Sequence, residues 1–503
     1  MASKKRKASC DECDAPAEAH AEPTTPTAPK PNHNVPHHVP KPYFGDATEA
    51  LIAKADRYFR DLYRCEPDFK TLAARDPDFA VWVKKGGKLN FSDAAAFMQL
   101  TKTLLKADFG LKIELPDDRL CPPVTNRHNY ILWLKELMDT TSYEQPGGKL
   151  CGLDVGTGAS CIYPLLGAVQ RPWNFVATDI DAKSLVHARK NVELNGLEKQ
   201  IRVMERKASD SLVPLDDIGV QSIDFVMMNP PFYESEDELK QSAENKSQPP
   251  NSACTGAPVE MICEGGEVGH VGRMLKESLI LRDKVRWYTT MVGKASSLDA
   301  LVGQLRENNI DNFAVTEFTQ GKKTRRWALG WSFAPMRPAD HVARGINAGS
   351  WENLVPPPTK QDVLKLPVGN EVGPFIELIL VVIGSLELIS WTWDMEASRG
   401  VGRARQNVWS RSWRRKKLRE IPRETADASV AVVPKSQATD SEECRLGFAI
   451  AVRVGTDKTT FSVNWLEGHD QPLFVALADF LRGRLGRLFQ ERHVQENRDG
   501  IEG

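Results

Sequence analysis

The chain is 503 residues long, 41% hydrophobic and 26% charged, with a formal net charge of -1. These values exclude a collagen-like, wholly disordered or uniformly basic polypeptide and leave room for two or three domains, so any nucleic-acid surface must be a local patch. The nine cysteines are odd in number and scattered, which fits a reducing compartment better than a disulfide framework.

In chain order, residues 1–44 form a basic, Pro-rich leader with hardly any large apolar side chains, expected to be disordered. Its opening is polar and basic, so no signal peptide is expected. "SKKRK" at residues 3–7 has the form of a nuclear import signal, and equally of a solvated charge run. Cys10 and Cys13 lack a second ligand pair at metal spacing, so no metal site is expected.

Residues 45–145 read as a helical module. In "SDAAAFMQLTKTLLKADFG", Ser92 or Asp93 serves as N-cap and Gly110 as terminator. Lys84, Lys85 and Lys88 lie in the turn before it. Residues 146–335 alternate short apolar strands with helices, the pattern of a doubly wound parallel sheet. Residues 336–365 read as a Pro-rich linker from which a small α+β domain, 366–490, hangs, with a disordered insertion at 424–443. Within it, Glu377 and Glu387 leave nine uncharged positions between them, too few to span a membrane, so 375–390 is read as a buried strand pair.

The chemistry concentrates in the middle domain. "KLCGLDVGTGAS" places Asp154 at a strand end and Gly156 and Gly158 in a turn where the backbone can approach a ligand. Asp179 ends the next strand, where a carboxylate can bind a ribose diol. The turn lacks the third glycine of the pyrophosphate fingerprint, which favours a ligand without pyrophosphate such as S-adenosylmethionine. The strand "IDFVMM" then delivers Asn229-Pro230-Pro231-Phe232 to the carboxyl edge of the sheet. An aromatic amine is a poor nucleophile because its lone pair is delocalised into the ring. The Asn229 side-chain oxygen and the Pro230 carbonyl can accept both of its hydrogens, the prolines fix the turn, and Phe232 can stack on the base.

"DVGTGASCIYPLL", "NPPF", "NYILWLKELM", "EGGE" and "TEFTQGKKTRRWALGWSF" together make the chain, over residues 42–335, similar to the methyltransferase-like protein 16 family of U6 small nuclear RNA N6-adenosine methyltransferases and their bacterial ribosomal RNA relatives. The resemblance implies a Rossmann-like class I S-adenosylmethionine-dependent methyltransferase with an N-terminal helical module and a small C-terminal α+β domain. It also implies that Arg127 reaches the cofactor carboxylate, that Gly156 and Ser160 lie in its loop and that Asp179 binds its ribose. Ser209 and Asp210 both stand at the third strand's tip; Asp210 is favoured as acceptor for the cofactor's adenine amine. The catalytic group is Asn229, Pro230, Pro231 and Phe232.

The implied partner is a structured RNA with an unpaired adenosine. Lys84, Lys85, Lys88, Lys323 and Arg326 are assigned to a phosphate-binding groove, and Arg411, Arg414 and Arg415 to a basic helix interleaved with Trp391, Trp393, Trp409 and Trp413. Residues 244–260 read as a lid over substrate. A nuclear monomer without a membrane span is expected. The competing readings are a DNA-adenine or protein-glutamine methyltransferase and a non-catalytic RNA-binding regulator.

Overall fold

A computed structural model describes residues 49–144, 146–244, 256–320, 324–346, 351–367, 372–420 and 444–502. The leader, the 424–443 insertion, Lys323 and residues 245–255 of the expected lid lie outside the described residues.

The N-terminal module is helical over Glu49–Asp61, Phe69–Arg75, Pro77–Ala80, Ala94–Phe109 and Val124–Thr140. Asp93 caps the fourth of these by accepting from the Ala95 and Ala96 N–H groups, and Gly110 ends it in the left-handed region at φ 67, both as the sequence implies. Asp56 pairs with Lys135 at 2.6 Å and Arg171 at 2.7 Å, fastening the first helix to the catalytic domain.

The main sheet comprises β1 (Cys151–Val155), β2 (Asn174–Asp179), β3 (Ile201–Glu205), β4 (Ile223–Met228), β5 (Val285–Val292), β6 (Phe313–Gln320), β7 (Thr324–Trp331) and β8 (Arg344–Gly345). Their order is β3-β2-β1-β4-β5-β7-β6-β8. β1 to β5 are parallel, while β7 runs antiparallel to β5 and β6, so the sheet is mixed rather than wholly parallel. The strand order reverses between β1 and β4, and the crevice beyond their carboxyl ends is where open α/β sheets bind ligands.

A second, antiparallel sheet is built from β9 (Lys360–Pro367), β10 (Ser390–Asp394), β11 (Arg399–Ala404), β12 (Leu446–Val454) and β13 (Lys458–Glu467), ordered β10-β11-β12-β13-β9. The expected strand pair at 375–390 is instead a helix, Val372–Gly384, followed by β10 from Ser390. Its buried Phe375, Ile376, Ile379, Val382 and Ile383 recur at helical spacing and share one core with Phe474, Leu477 and Leu481 of the last helix, Gln471–Glu502. No helix among the described residues is long and apolar enough to cross a membrane.

The Pro-rich stretch does not act as a free tether. β8 joins the main sheet, β9 already belongs to the second, and Val342 and Ala343 just before β8 and Leu354 and Val355 between the two strands are buried. Arg337, 3% exposed, donates from its backbone N–H to the Leu466 carbonyl at 2.8 Å and from Nε to the Gly468 carbonyl at 2.8 Å. Its guanidinium lies over the Trp465 ring at 4.2 Å and pairs with Asp311 at 3.0 Å. On the other side, Glu467 accepts from the Tyr143 hydroxyl at 3.0 Å and from Arg403 at 3.0 and 3.2 Å. The C-terminal domain is thus seated on the catalytic one through charged groups that local sequence does not connect.

Candidate active site

The glycine turn leaves β1 with Gly156 at φ 74 and Gly158 at φ 64, conformations that side chains rarely adopt. The Gly156 and Thr157 N–H groups both donate to the Thr178 carbonyl at 2.9 Å, which presses the turn against the end of β2. A Cβ at Gly156 would meet nothing within 4 Å, so open space faces the backbone there. Asp179 holds the turn from below: Oδ2 accepts from the Gly158 N–H at 2.8 Å and Oδ1 from the Asp181 N–H at 2.9 Å. Ser160 is buried at the start of the following helix, Ile162–Gln170.

Beneath the turn, polar atoms are buried without partners. Neither carboxylate oxygen of Asp154 has a hydrogen-bond partner, and burial pushes its carboxyl up to about 7; the Thr157 hydroxyl opposes that rise without reaching hydrogen-bond geometry. Arg127, on the helix Val124–Thr140, is 6% exposed; its Nη1 donates to the Tyr163 hydroxyl at 2.6 Å and its Nε is unpartnered. Its charge is felt by Asp154 and by Arg326, whose own guanidinium is pushed down first by burial and then by Arg127. A buried cation without a carboxylate partner and a buried carboxylate without a cation fit the two ends of an amino acid. The residues present therefore suit the amino-acid portion of S-adenosylmethionine.

At the end of β4, the Asn229 Oδ1 is likewise buried and unpartnered. The turn after it is clamped from several directions. The Tyr233 N–H donates to the Met261 carbonyl at 3.1 Å, and the Cys263 N–H returns to the Tyr233 carbonyl at 3.0 Å. Gly265 and Gly266, at φ 70 and 58, start the helix Gly266–Leu281 with buried Glu267 in its first turn. Glu267 accepts from the N–H groups of Gly293 and Lys294. A Cβ at Gly293 would come within 2.9 Å of Phe232 Cδ1, so glycine there leaves room for that edge of the ring. Arg326 then covers the ring, 5.2 Å from its centroid.

A family model described as RNA methyltransferase matches residues 53–335, more than half of the chain. The chain belongs to this RNA methyltransferase family. The chain is 44% identical over 260 residues to the U6 small nuclear RNA (adenine-(43)-N(6))-methyltransferase of Schizosaccharomyces pombe, covering 52% of this chain and 66% of that relative. It is 35% identical over 471 residues to the RNA N(6)-adenosine-methyltransferase mettl16 of Danio rerio, covering 85% of this chain and 97% of that relative. A crystal structure of the N-terminal domain of human METTL16 in complex with SAH is 38% identical and covers 55% of this chain and 97% of that one, with a TM-score of 0.46.

In this RNA methyltransferase, the residues singled out from sequence divide into two sets. Asp154, Gly156, Gly158, Asp179 and Arg127 converge at one turn, and Asn229 to Phe232 stand beside it at the switch point. Asp210 is not joined to them: its carboxylate accepts from the Lys207 N–H at 2.9 Å and lies 3.6 Å from Arg206. Lys84, Lys85 and Lys88 are exposed on a tight turn closed by the Lys84–Lys88 bridge. Arg326 is half-buried, with its guanidinium 5.2 Å from the Phe232 ring centroid. On the basic helix Arg411–Glu420, Arg411, Arg414 and Arg415 are exposed, whereas Trp409 is buried and Trp391, Trp393 and Trp413 pack against the same core. Sequence reasoning assigns no role to Glu267, Gly293, Tyr163 or Glu260, although "EGGE" contains Glu267, "DVGTGASCIYPLL" contains Tyr163 and the 244–260 stretch ends on Glu260.

Proposed function

We propose that this chain transfers a methyl group from S-adenosylmethionine to the N6 amine of an unpaired adenosine in a structured RNA, with U6 small nuclear RNA as the favoured substrate. The observation that carries the reading is the buried, unpartnered Asn229 Oδ1 at the end of β4, beside a Phe232 ring held flat by Gly293 and Arg326. The activities of the fission-yeast and zebrafish relatives, on U6 small nuclear RNA and on RNA adenosine N6, support the substrate. Action on such an RNA supports residence in the nucleus.

Bound at the turn, the cofactor supplies an electrophilic methyl on a sulfonium. Arg127 pairs with its carboxylate, Asp154 with its ammonium, and Asp179 with its ribose, while Gly156 leaves the backbone open to it. Asn229 Oδ1 and the Pro230 carbonyl accept the two hydrogens of the target amine. This holds the nitrogen in line and draws its lone pair out of conjugation, and both acceptors stabilise the N–H bonds as they become acidic during transfer. Phe232 stacks on the base with the face turned away from Arg326, which keeps the ring from turning. Exposed Lys84, Lys85, Lys88, Arg411, Arg414 and Arg415 contact phosphates, and the chain acts as a monomer.

The test is labelled methyl transfer to a hairpin-containing U6-like RNA, to duplex DNA and to a protein fraction, followed by nucleoside analysis. N6-methyladenosine in the RNA alone is expected. Label confined to DNA or protein refutes the reading.

A further inference from the structure

Glu260 is the last residue of the 244–260 stretch, and the sequence assigns it no cofactor role. It sits on the short helix Pro258–Met261, which returns the chain to the catalytic turn, and its carboxylate is fixed in one orientation. Oε2 accepts from the Leu120 N–H at 2.9 Å and from the Ala257 N–H at 2.8 Å, so that oxygen is fully used. Oε1 takes no hydrogen bond from a described residue and stands 3.6 Å from the position of a Cβ on Gly158.

Gly158 is also the residue whose N–H is held by Asp179, so two carboxylates from distant parts of the chain flank one glycine of the cofactor turn. The Asp179 charge adds to the upward push that burial gives the Glu260 carboxyl. Arg119, buried and bound to Asp181 at 2.9 Å, compensates Glu260 electrostatically while donating to Asp181 and Asp118. The unpartnered, buried Asp154 carboxylate under the same turn is a separate sign that a polar ligand completes this place. An anchoring role for Glu260 accounts for Oε2. It does not account for a rigidly presented second oxygen at the mouth of the turn.

We propose that Glu260 is a second hydroxyl acceptor at the cofactor site, taking one hydroxyl of the ribose diol through Oε1 while Asp179 takes the other. This rests on the reading of the turn as an S-adenosylmethionine site. Two carboxylates then meet two donors, one each, and each bond is charge-assisted. Glu260 joins the end of the 244–260 stretch to the cofactor through that bond.

The test is calorimetric titration of the full chain with S-adenosylhomocysteine and with its 2′-deoxy and 3′-deoxy analogues, using the wild type, Glu260→Ala and Glu260→Gln. Melting of each free protein controls for anchoring. The wild type is expected to bind each analogue roughly tenfold or more weakly than the parent. In Glu260→Ala, one of the two analogues is expected to bind as well as the parent, within about twofold, while the other keeps its loss to Asp179. Glu260→Gln keeps an oxygen for the two N–H groups and is expected to show reduced discrimination against that same analogue. If both variants keep full discrimination against both analogues, Glu260 holds no hydroxyl and only anchors the chain. If the wild type binds none of the three ligands, the cofactor reading itself fails and takes this proposal with it.

Discussion

The cofactor turn and the joint between the two sheets both bury charge, and they do so in opposite ways. At the joint, Arg337 meets Asp311, the Gly468 carbonyl and the Trp465 face, and Glu467 meets Tyr143 and Arg403. At the turn, both oxygens of Asp154, the Arg127 Nε and the Asn229 Oδ1 have no partner. Leaving a buried polar group unmatched costs about 1–3 kcal/mol, so a fold that keeps several together is prepared for a ligand that supplies the missing bonds. At the joint the matched charges make a structural contact, whereas at the turn several unmatched polar atoms gather in one place.

That contrast is tested most severely at Asn229. Asn229→Ala is expected to lower turnover by about two to three orders of magnitude while cofactor titration stays near normal, because the amide serves the target amine. Rate and calorimetry on the same preparation decide it, and near-normal turnover would falsify the assignment. The joint should respond in the reverse sense. Arg337→Ala is expected to destabilise the chain by about 2–3 kcal/mol, discounted for the half-exposed Asp311, with cofactor affinity unchanged below the melting range. Denaturant unfolding measures the first and calorimetry the second. A loss of cofactor affinity there would show that the two regions are coupled rather than separate.

A third case lies between them. His128 is fully buried, with Nε2 on the Phe59 carbonyl at 2.8 Å and the Gln170 amide against Nδ1 at 3.2 Å. This fits a neutral ring that donates from Nε2. Burial lowers its pKa from 6.5 to about 4, so the folded state binds fewer protons than the unfolded one between those values. Stability is therefore full above about pH 6.5 and is lost as pH falls toward 4, by about 2 kcal/mol at pH 5. His128→Gln should flatten that slope in melting curves taken from pH 7 to pH 4.5; an unchanged slope would place the acid sensitivity elsewhere.

The smallest effect belongs to Asp154. Its pKa is raised to about 7, so in the free protein it is largely neutral below that pH, whereas a cationic ammonium prefers it ionised. Cofactor affinity should weaken by up to about tenfold per pH unit below 7 and level off above it. Titrations at pH 6 and pH 8 measure this, and Asp154→Asn should remove the dependence. Equal affinity at both values in the wild type would mean that Asp154 does not meet the ammonium.

The parts of the fold that were legible in the sequence are those whose cause is local. The β1 turn shows in two glycines that must adopt positive φ, the N-cap at Asp93 in a carboxylate two residues before a free N–H, and β4 in an apolar run stopped by two prolines. The helix Val372–Gly384 was misread although its period was also local, because two glutamates and a hydrophobic run satisfied a strand as well as a helix face. The Arg326 contact was hidden for a different reason: "KKTRRW" is locally a basic patch, and nothing near it says that β7 brings one of those arginines over Phe232, almost a hundred positions earlier.

Sequence alone determined the class of chemistry, since a glycine turn, an acid at the end of β2 and an Asn-Pro-Pro-Phe turn on β4 each write their function in a few adjacent residues. Only the tertiary structure decided which charges are matched. Asp154 and Asn229 are left open while Arg337 and Glu467 are closed, because a partner is set by which strands and helices come together from distant parts of the chain. The seating of the C-terminal domain, the covering of Phe232 and the approach of Glu260 to Gly158 all depend on those long-range contacts, and hydrogen bonds and ion pairs reach only a few ångströms once the chain has folded.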